Sequence, residues 1–192
     1  SELNEKEAAL MLVQNKNRDL SSTLAQTEQD LKKRELRVAE LEAKLRAKDS
    51  AVNALKANIQ KALLGFQNQG LSVEIKNGKV YVSMEEKLLF KSGSIEVDPK
   101  GVAALLELSK ALNQNADVSI LVEGHTDNVP MKSPTIKDNL DLSVLRATSI
   151  ARIITSQGSV DPTRVMSAGR GEHFPIDTAN TPEARAKNRR TE

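Results

Sequence analysis

Gly124-His125-Thr126-Asp127-Asn128 and Asn139-Leu140-Asp141-Leu142-Ser143-Val144-Leu145-Arg146-Ala147 are the segments that decide the fold of the C-terminal part of this chain. The first ends an apolar run, and the second opens a run whose apolar residues have helical spacing. A polar loop with two prolines separates them. This order predicts that the carboxylate of Asp127 and the guanidinium of Arg146 flank one loop, as a site for a ligand that carries both signs of charge.

The composition excludes several classes of function. The sequence has 28 basic and 26 acidic residues, a net charge of +2, which is too balanced for nucleic-acid binding driven by phosphate neutralisation. It has no Trp, one Tyr and three Phe, so aromatic platforms for stacking single strands are nearly absent. The lack of cysteine excludes disulfides, thiol catalysis and thiolate metal sites. We predict no nucleic-acid partner and no cofactor.

No membrane-targeting signal is visible in the given sequence. No run approaches the roughly 18 apolar residues of a membrane span, and no signal peptide is visible. The chain begins at Ser1, without methionine, inside a helical pattern. We expect a soluble fragment of a longer protein, in which any contact with a membrane is made by a region missing from the fragment.

Residues 1–70 are predicted to form a helical coiled-coil stalk. Residues 1–64 contain no proline or glycine and are rich in good helix formers. Apolar residues recur every seven positions from Leu3 to Phe66, with Asn17 as the one exception among ten sites. This heptad repeat is typical of coiled coils. A coiled coil also needs a second set of core positions, three residues after the first, and here only five of nine of them are apolar or small.

The heptads leave several arrangements open. Asn17 in a core layer favours a parallel dimer, because a buried Asn fixes the register of two strands. A trimer, an antiparallel pair and a lone helix are the alternatives. At about 1.5 Å per residue the helix would reach on the order of 100 Å, which suggests a spacer. Gly65 and Gly70 end the helix, and we place the domain boundary near residue 70.

Residues 71–192 alternate between strand and helix patterns, which predicts an α/β fold with helices on one or both faces of a small sheet. The run 118–122 is almost wholly apolar and predicts a strand buried on both faces. Asn77-Gly78 predicts a hairpin turn, and Asp98-Pro99 predicts a helix start. The remaining predictions are strands at 71–75, 79–84, 88–90 and 165–168, helices at 99–113, 139–157 and 181–187, and a final strand, 188–192, cut short by the end of the fragment.

Five blocks of sequence follow one another along the C-terminal part of the chain. They are Leu88–Ser94, Glu123–Asn128, Asn139–Ala147, Gly169-x-Gly171-Glu172-x-x-Pro175 and Asn188-Arg189-Arg190. In this order and spacing they resemble the OmpA-like peptidoglycan-binding domain. The family includes the C-terminal domain of OmpA, the lipoprotein Pal and the periplasmic part of MotB. The resemblance covers about residues 85–192 and leaves the helical segment outside.

The resemblance implies a βαβαβ sandwich with a small mixed sheet. It also implies non-catalytic binding of diaminopimelate in the stem peptide of peptidoglycan. The side-chain end of diaminopimelate carries both an ammonium and a carboxylate. An aspartate can accept a hydrogen bond from the ammonium, and the planar fork of an arginine can hold the carboxylate. The family's anionic anchor falls on Asp127 and its cationic anchor on Arg146. The other pocket positions fall on Thr126, Asn139, Leu142, Phe90 and Ser92.

Simpler interpretations of these residues exist. From the residues alone, Asp127 is also explained as a turn or capping residue and Arg146 as a solvated helix residue. His125 beside Asp127 suggests a metal site, but only one other histidine is present, and we predict no metal. The basic cluster in residues 185–190 is expected to cap a helix and pair with acids, with Arg190 at the border of the pocket.

Three functions compete. The first is a tether. The domain binds peptidoglycan, and the stalk, which can form a homodimer through its heptads, links the domain to an outer-membrane anchor. This interpretation predicts the periplasmic domain of a Gram-negative outer-membrane protein or lipoprotein. The second is a MotB-type stator subunit, which the segment His125–Pro130 favours because it resembles MotB-like sequences. The third, a wall-degrading enzyme, lacks a nucleophile motif or an acid–base pair, and we predict no catalytic residues.

Overall fold

A computed structural model of the chain describes residues 2–67, 69–91 and 93–192. It contains two compact units, Ser1–Ser50 and Ala51–Glu192. The predicted boundary near residue 70 therefore stays a prediction. The structure adds that residues from Ala51 onward pack with the second unit.

The described residues of the first unit are helical throughout. They belong to α1, which runs from Glu2 to Ala62, as the sequence predicts. In this unit the apolar residues that recur every seven positions from Leu3 are all exposed. Leu3, the first of them, is 71% exposed, and Leu45, the last, is 59% exposed. Among the described residues, no helix is both long and apolar enough to cross a bilayer. The apolar stripe of this unit is thus left without a partner from within the described chain.

The second unit is built on a mixed sheet of five strands in the order β1-β2-β5-β3-β4. β3 and β4 are parallel, and the other neighbours are antiparallel. The strands are β1 (Leu71–Lys76), β2 (Lys79–Glu85), β3 (Ile120–His125), β4 (Val165–Gly169) and β5 (Arg190–Thr191). The helices that follow α1 are α2 (Glu86–Leu89), α3 (Pro99–Asn113), α4 (Asn139–Ser156) and α5 (Pro182–Asn188), with short 3₁₀ turns at Leu64–Phe66 and Pro162–Arg164.

The local start and turn signals are confirmed. Asn77 and Gly78 have φ angles of +52° and +68°, the left-handed pair that a tight hairpin between β1 and β2 requires. Asp98 accepts a hydrogen bond of 3.0 Å from the amide of Lys100 at the start of α3. Each signal depends on neighbouring residues only, so the sequence alone predicts it well.

The prediction of a strand buried on both faces is wrong. β3 begins at Ile120, two residues later than predicted, and Val122 faces the core. Leu121, the residue before Val122, lies on the other face and is 49% exposed. Its neighbour on β4, Met166, is 59% exposed. The reason is that α4 packs against β3 and β4 and α3 packs against α4, which leaves the second face of these strands open.

Two segments differ from the predicted pattern around the core. The last turns of α1 and the residue after it join the core, where Ile59 and Leu63 are 2% and 0% exposed. Leu88-Leu89-Phe90, predicted as a strand, is instead the end of the helical turn α2, and only Phe90 makes a β-bridge, to Val97. A short apolar run fits a buried helical turn as well as a strand, and burial of Leu88 and Leu89 in the core decides for the turn.

Candidate functional site

The two decisive segments meet because β3 and α4 pack very closely. A Cβ atom on Gly124 would lie 2.2 Å from the backbone oxygen of Ser143. Only glycine permits this approach of a strand to a helix. The Ser143 hydroxyl in turn donates to Leu140 O at 2.7 Å and accepts from Gly171 N at 3.0 Å. The close approach of Gly124 fixes the end of β3 against the start of α4, and the hydrogen bond from Gly171 fixes the loop after β4 against the same helix.

Arg146 is held from three sides. Its side chain is 4% exposed, and its Nε donates to the carbonyl of Ser94 at 2.9 Å. Its Nη2 donates to Glu86 Oε1 at 2.5 Å. The guanidinium carbon lies 4.8 Å from the centre of the Phe90 ring, within the range of a cation–π contact. The orientation of the guanidinium is thus set before any ligand binds.

Asp127 is equally constrained. Its Oδ1 accepts from the amide of Val129 at 3.0 Å, which forms a turn directly after β3. Its Oδ2 accepts from Arg189 Nη1 at 2.6 Å. Asp127 is therefore both the turn residue of the simpler interpretation and a charged group of the site.

Glu86 joins the two anchors into one chain of ions. It pairs with Arg146 through Oε1 and with Arg189 through Oε2, so the order Arg146–Glu86–Arg189–Asp127 alternates in sign. Burial acts to lower the pKa of Arg189, but the hydrogen bond to Asp127 and the charge of Glu86 outweigh it and raise that pKa above its ordinary value. The four charges hold one another in place, with Arg146 and Asp127 buried and Arg189 partly exposed.

Asn139 organises the proline-bearing loop. Its Nδ2 lies 3.2 Å from Asp127 O, 3.1 Å from Val129 O and 2.5 Å from Glu172 Oε2. Its Oδ1 accepts from the amide of Met131 at 3.1 Å. These contacts hold the first part of the loop, from Asp127 to Met131, on the start of α4, so Asn139 shapes the site by positioning its backbone.

Thr126 and His125 have buried polar atoms without hydrogen-bond partners among the described residues. They are Thr126 Oγ1 and both ring nitrogens of His125. The pKa of His125 is lowered, first by burial and then by the nearby charge of Arg190. Among the described residues there is no cluster of three or more groups that could hold a metal ion.

The structure brings most of the predicted site residues together around the ion chain. Arg146 contacts Phe90, and Asn139 contacts Asp127. Leu142 is 6% exposed and lies one turn before Arg146 on α4, and Thr126 adjoins Asp127. Ser92 lies outside the described residues.

Two members of the site were missed at the sequence level. Glu86 carries no local signal: it lies just before the strand predicted at 88–90, and the helical turn α2 that positions it was not predicted. Arg189 stands in the predicted basic cluster, but Arg190 was expected at the pocket. In the structure Arg190 instead pairs with Glu192 at 2.6 Å, and Arg189, just before β5, pairs with Asp127.

The chain is similar to several known proteins. Residues 89–189 match the OmpA family. Motility protein B of Bacillus subtilis (strain 168) is 30% identical over 122 residues, 64% of this chain and 47% of that protein. The lipoprotein YiaD of Escherichia coli (strain K12) is 30% identical over 127 residues, 66% of this chain and 56% of that protein. The chain spans about half the length of these curated relatives.

Solved structures share the fold. A MotB-like protein from Desulfovibrio vulgaris superposes with a TM-score of 0.70 at 24% identity, covering 76% of this chain and 91% of that chain. The cell wall anchor of the T6SS from Pseudomonas aeruginosa superposes with a TM-score of 0.63 at 29% identity, covering 69% and 92%. The fold, the matched motifs and the matched length together show that this chain belongs to the OmpA family.

Proposed function

We propose that this chain binds peptidoglycan without catalysis and anchors the structure that carries it to the cell wall. The observation that carries the proposal is the chain of four alternating charges, which ends in the buried side chains of Asp127 and Arg146. Such an arrangement is already neutral, so it favours a ligand that is itself neutral overall and carries one charge of each sign.

The ligand group that fits these ends is the amino-acid terminus of diaminopimelate. Each oxygen of Asp127 accepts one hydrogen bond from the described residues and has a second lone pair for an ammonium. The hydrogen bonds of Arg146 to described residues use Nε and Nη2, which leaves Nη1 for a carboxylate. The buried Thr126 hydroxyl supplies a further hydrogen-bonding group next to Asp127.

Binding to isolated cell walls tests the proposal. Purified protein is expected to sediment with sacculi whose stem peptide contains diaminopimelate, and less with sacculi that have lysine at that position, because lysine lacks the second carboxylate. Failure to sediment with either kind would reject peptidoglycan binding. Equal binding to both kinds would reject the role of diaminopimelate while leaving wall binding in place.

Within this function, we propose that the chain tethers an outer membrane to the wall from the periplasm, with α1 as the spacer. A MotB-type stator subunit is the second candidate. The relationship to motility protein B of Bacillus subtilis and the segment His125–Pro130 favour it. Fractionation of the membranes of the native cell separates the two, since a tether is expected with the outer membrane and a stator with the inner membrane.

A further inference from the structure

His125 is a buried titratable residue that the ligand site does not use. It is the last residue of β3, and its side chain is 3% exposed. Neither ring nitrogen has a hydrogen-bond partner among the described residues. Buried polar atoms are nearly always paired, because an unpaired one costs free energy. An apolar ring would fill this position at a lower cost, so a role that involves the proton of the imidazole would explain the histidine.

His125 stands between two arginines. Arg190 of β5 lies directly opposite it in the antiparallel ladder, and such a pair shares one face of the sheet with the Cβ atoms about 5 Å apart. On the other side, Arg170 follows β4 and donates its amide to Gly124 O at 2.9 Å. Both arginines contact Phe174: the Arg170 guanidinium lies 4.4 Å from the centre of the ring, and Arg190 Nη1 donates to the carbonyl oxygen at 3.4 Å.

The acids that face His125 from β3 and β5 are already paired with these arginines. Arg170 Nε lies 3.0 Å from Glu123 Oε2, and Arg190 Nε lies 2.6 Å from Glu192 Oε1. The Nε2 atom of His125 is 3.3 Å from the other oxygen of Glu123. Two positive and two negative charges thus act on the imidazole and balance one another. A protonated His125 would be a buried cation without an acid of its own.

The titration of His125 follows from these surroundings. Burial, and then the charge of Arg190, lower the pKa of His125. The imidazole is therefore neutral in the folded chain at neutral pH. Because the folded-state pKa is the lower one, stability is complete above the unfolded-state pKa of about 6.5 and is lost as the pH falls below it.

The surroundings of His125 adjoin the ion chain of the ligand site. Asp127 follows His125 by two residues, and Arg189 directly precedes Arg190. The hydrogen bond of 2.6 Å from Arg189 to Asp127 therefore lies beside the His125–Arg190 pair. Like charges directly opposite each other in a ladder repel, so a charge on His125 that displaces Arg190 also displaces Arg189.

We propose that His125 is a positioning residue whose charge controls the ligand site. The neutral imidazole leaves Arg190 in place, and its protonation in acid parts Arg189 from Asp127. Ligand binding then weakens, because one end of the ion chain loses its fixed orientation. Only the effect on binding rests on the proposed function, since the movement of Arg189 belongs to the chain itself.

Nuclear magnetic resonance tests the movement, because His125 and His173 are the only histidines in the sequence. The imidazole signals of both and the Nε–H signal of Arg189 are followed from about pH 7.5 to about pH 4.5. We expect His125 to titrate below the exposed His173, and the Arg189 signal to shift with the midpoint of His125. In His125→Gln, which stays neutral, the Arg189 signal is expected to stay constant. The matched control, His173→Gln, is expected to behave as the wild type.

Titration with a soluble diaminopimelate stem peptide tests the effect on binding. The affinity of the wild type and of His173→Gln is expected to fall at least about fivefold between about pH 7 and about pH 5, and that of His125→Gln by less than about twofold. An Arg189 signal in the wild type that does not follow His125 would overturn the proposal, as would a folded His125→Gln with the pH dependence of the wild type. Absence of peptide binding at every pH would instead reject the proposed function, and the Arg189 signal would still decide whether His125 controls the site.

Discussion

Arg146 and Asp127 differ from the free charged pair that the sequence suggests, because each is already neutralised by another side chain of the chain. Glu86 holds Arg146, and Arg189 holds Asp127. A ligand therefore adds to the two ends of an existing ion chain. The energetic consequence is that the stability of the site depends on Glu86 and Arg189 as much as on the two anchors, since a buried charge that loses its partner is costly.

Glu86→Gln tests this dependence. The substitution keeps the shape of the side chain but leaves Arg146 and Arg189 without the acid between them. We expect the free energy of unfolding to fall by about 2 kcal/mol, less than for a fully buried pair because the Arg189 side chain is 35% exposed. Urea denaturation measures the change.

The matched control for Glu86→Gln is Glu74→Gln. Glu74 also pairs with a base, Lys76, but both side chains are more than half exposed, so no measurable change is expected. Equal stability of the two variants would contradict the importance of the ion chain.

At the scale of the elements, the contact between β3 and α4 positions the site. Gly124→Ala places a methyl group against the backbone of Ser143, which a flexible side chain cannot relieve. We expect the helix to move from the strand, with a loss of about 3 kcal/mol or more in stability and loss of ligand binding. Urea denaturation and the sacculus assay measure both.

Gly65→Ala is the control, since a Cβ added there meets no atom within 4 Å apart from those of its own chain segment. Its effect is expected to stay within about 0.5 kcal/mol. If Gly124→Ala were equally mild, the close packing would not be what positions the site.

The exposed stripe of α1 predicts a dimer. Leu31 is one of the apolar residues that recur every seven positions, and Leu36 lies on the opposite face of the helix. They are 56% and 66% exposed. In a coiled coil only the first is buried. Sedimentation equilibrium is expected to show dimers for the wild type and for Leu36→Glu, and monomers for Leu31→Glu. A wild type that stays monomeric at high concentration would reject the coiled coil.

For the whole molecule, sequence patterns predicted what depends on near neighbours. The helix starts, the hairpin at Asn77-Gly78 and the alternation of strands and helices are examples. The patterns failed where burial decides between equally good local structures. Leu88-Leu89-Phe90 fits a strand or a helical turn, and only the turn places Glu86 beside Arg146. Likewise, the local sequence does not show that Arg189, and not Arg190, faces Asp127.

The central claim is that Arg146 binds the second carboxylate of a diaminopimelate stem peptide. Calorimetric titration tests it with two soluble stem peptides, one with diaminopimelate and one with lysine in its place, against the wild type and Arg146→Lys. The variant keeps a positive charge beside Glu86 but loses the guanidinium fork.

We predict that the wild type binds the diaminopimelate peptide at least about 30-fold more tightly, equivalent to about 2 kcal/mol, and that Arg146→Lys loses most of this preference. Equal affinity of the wild type for both peptides, or an undiminished preference in a folded Arg146→Lys, would contradict the account.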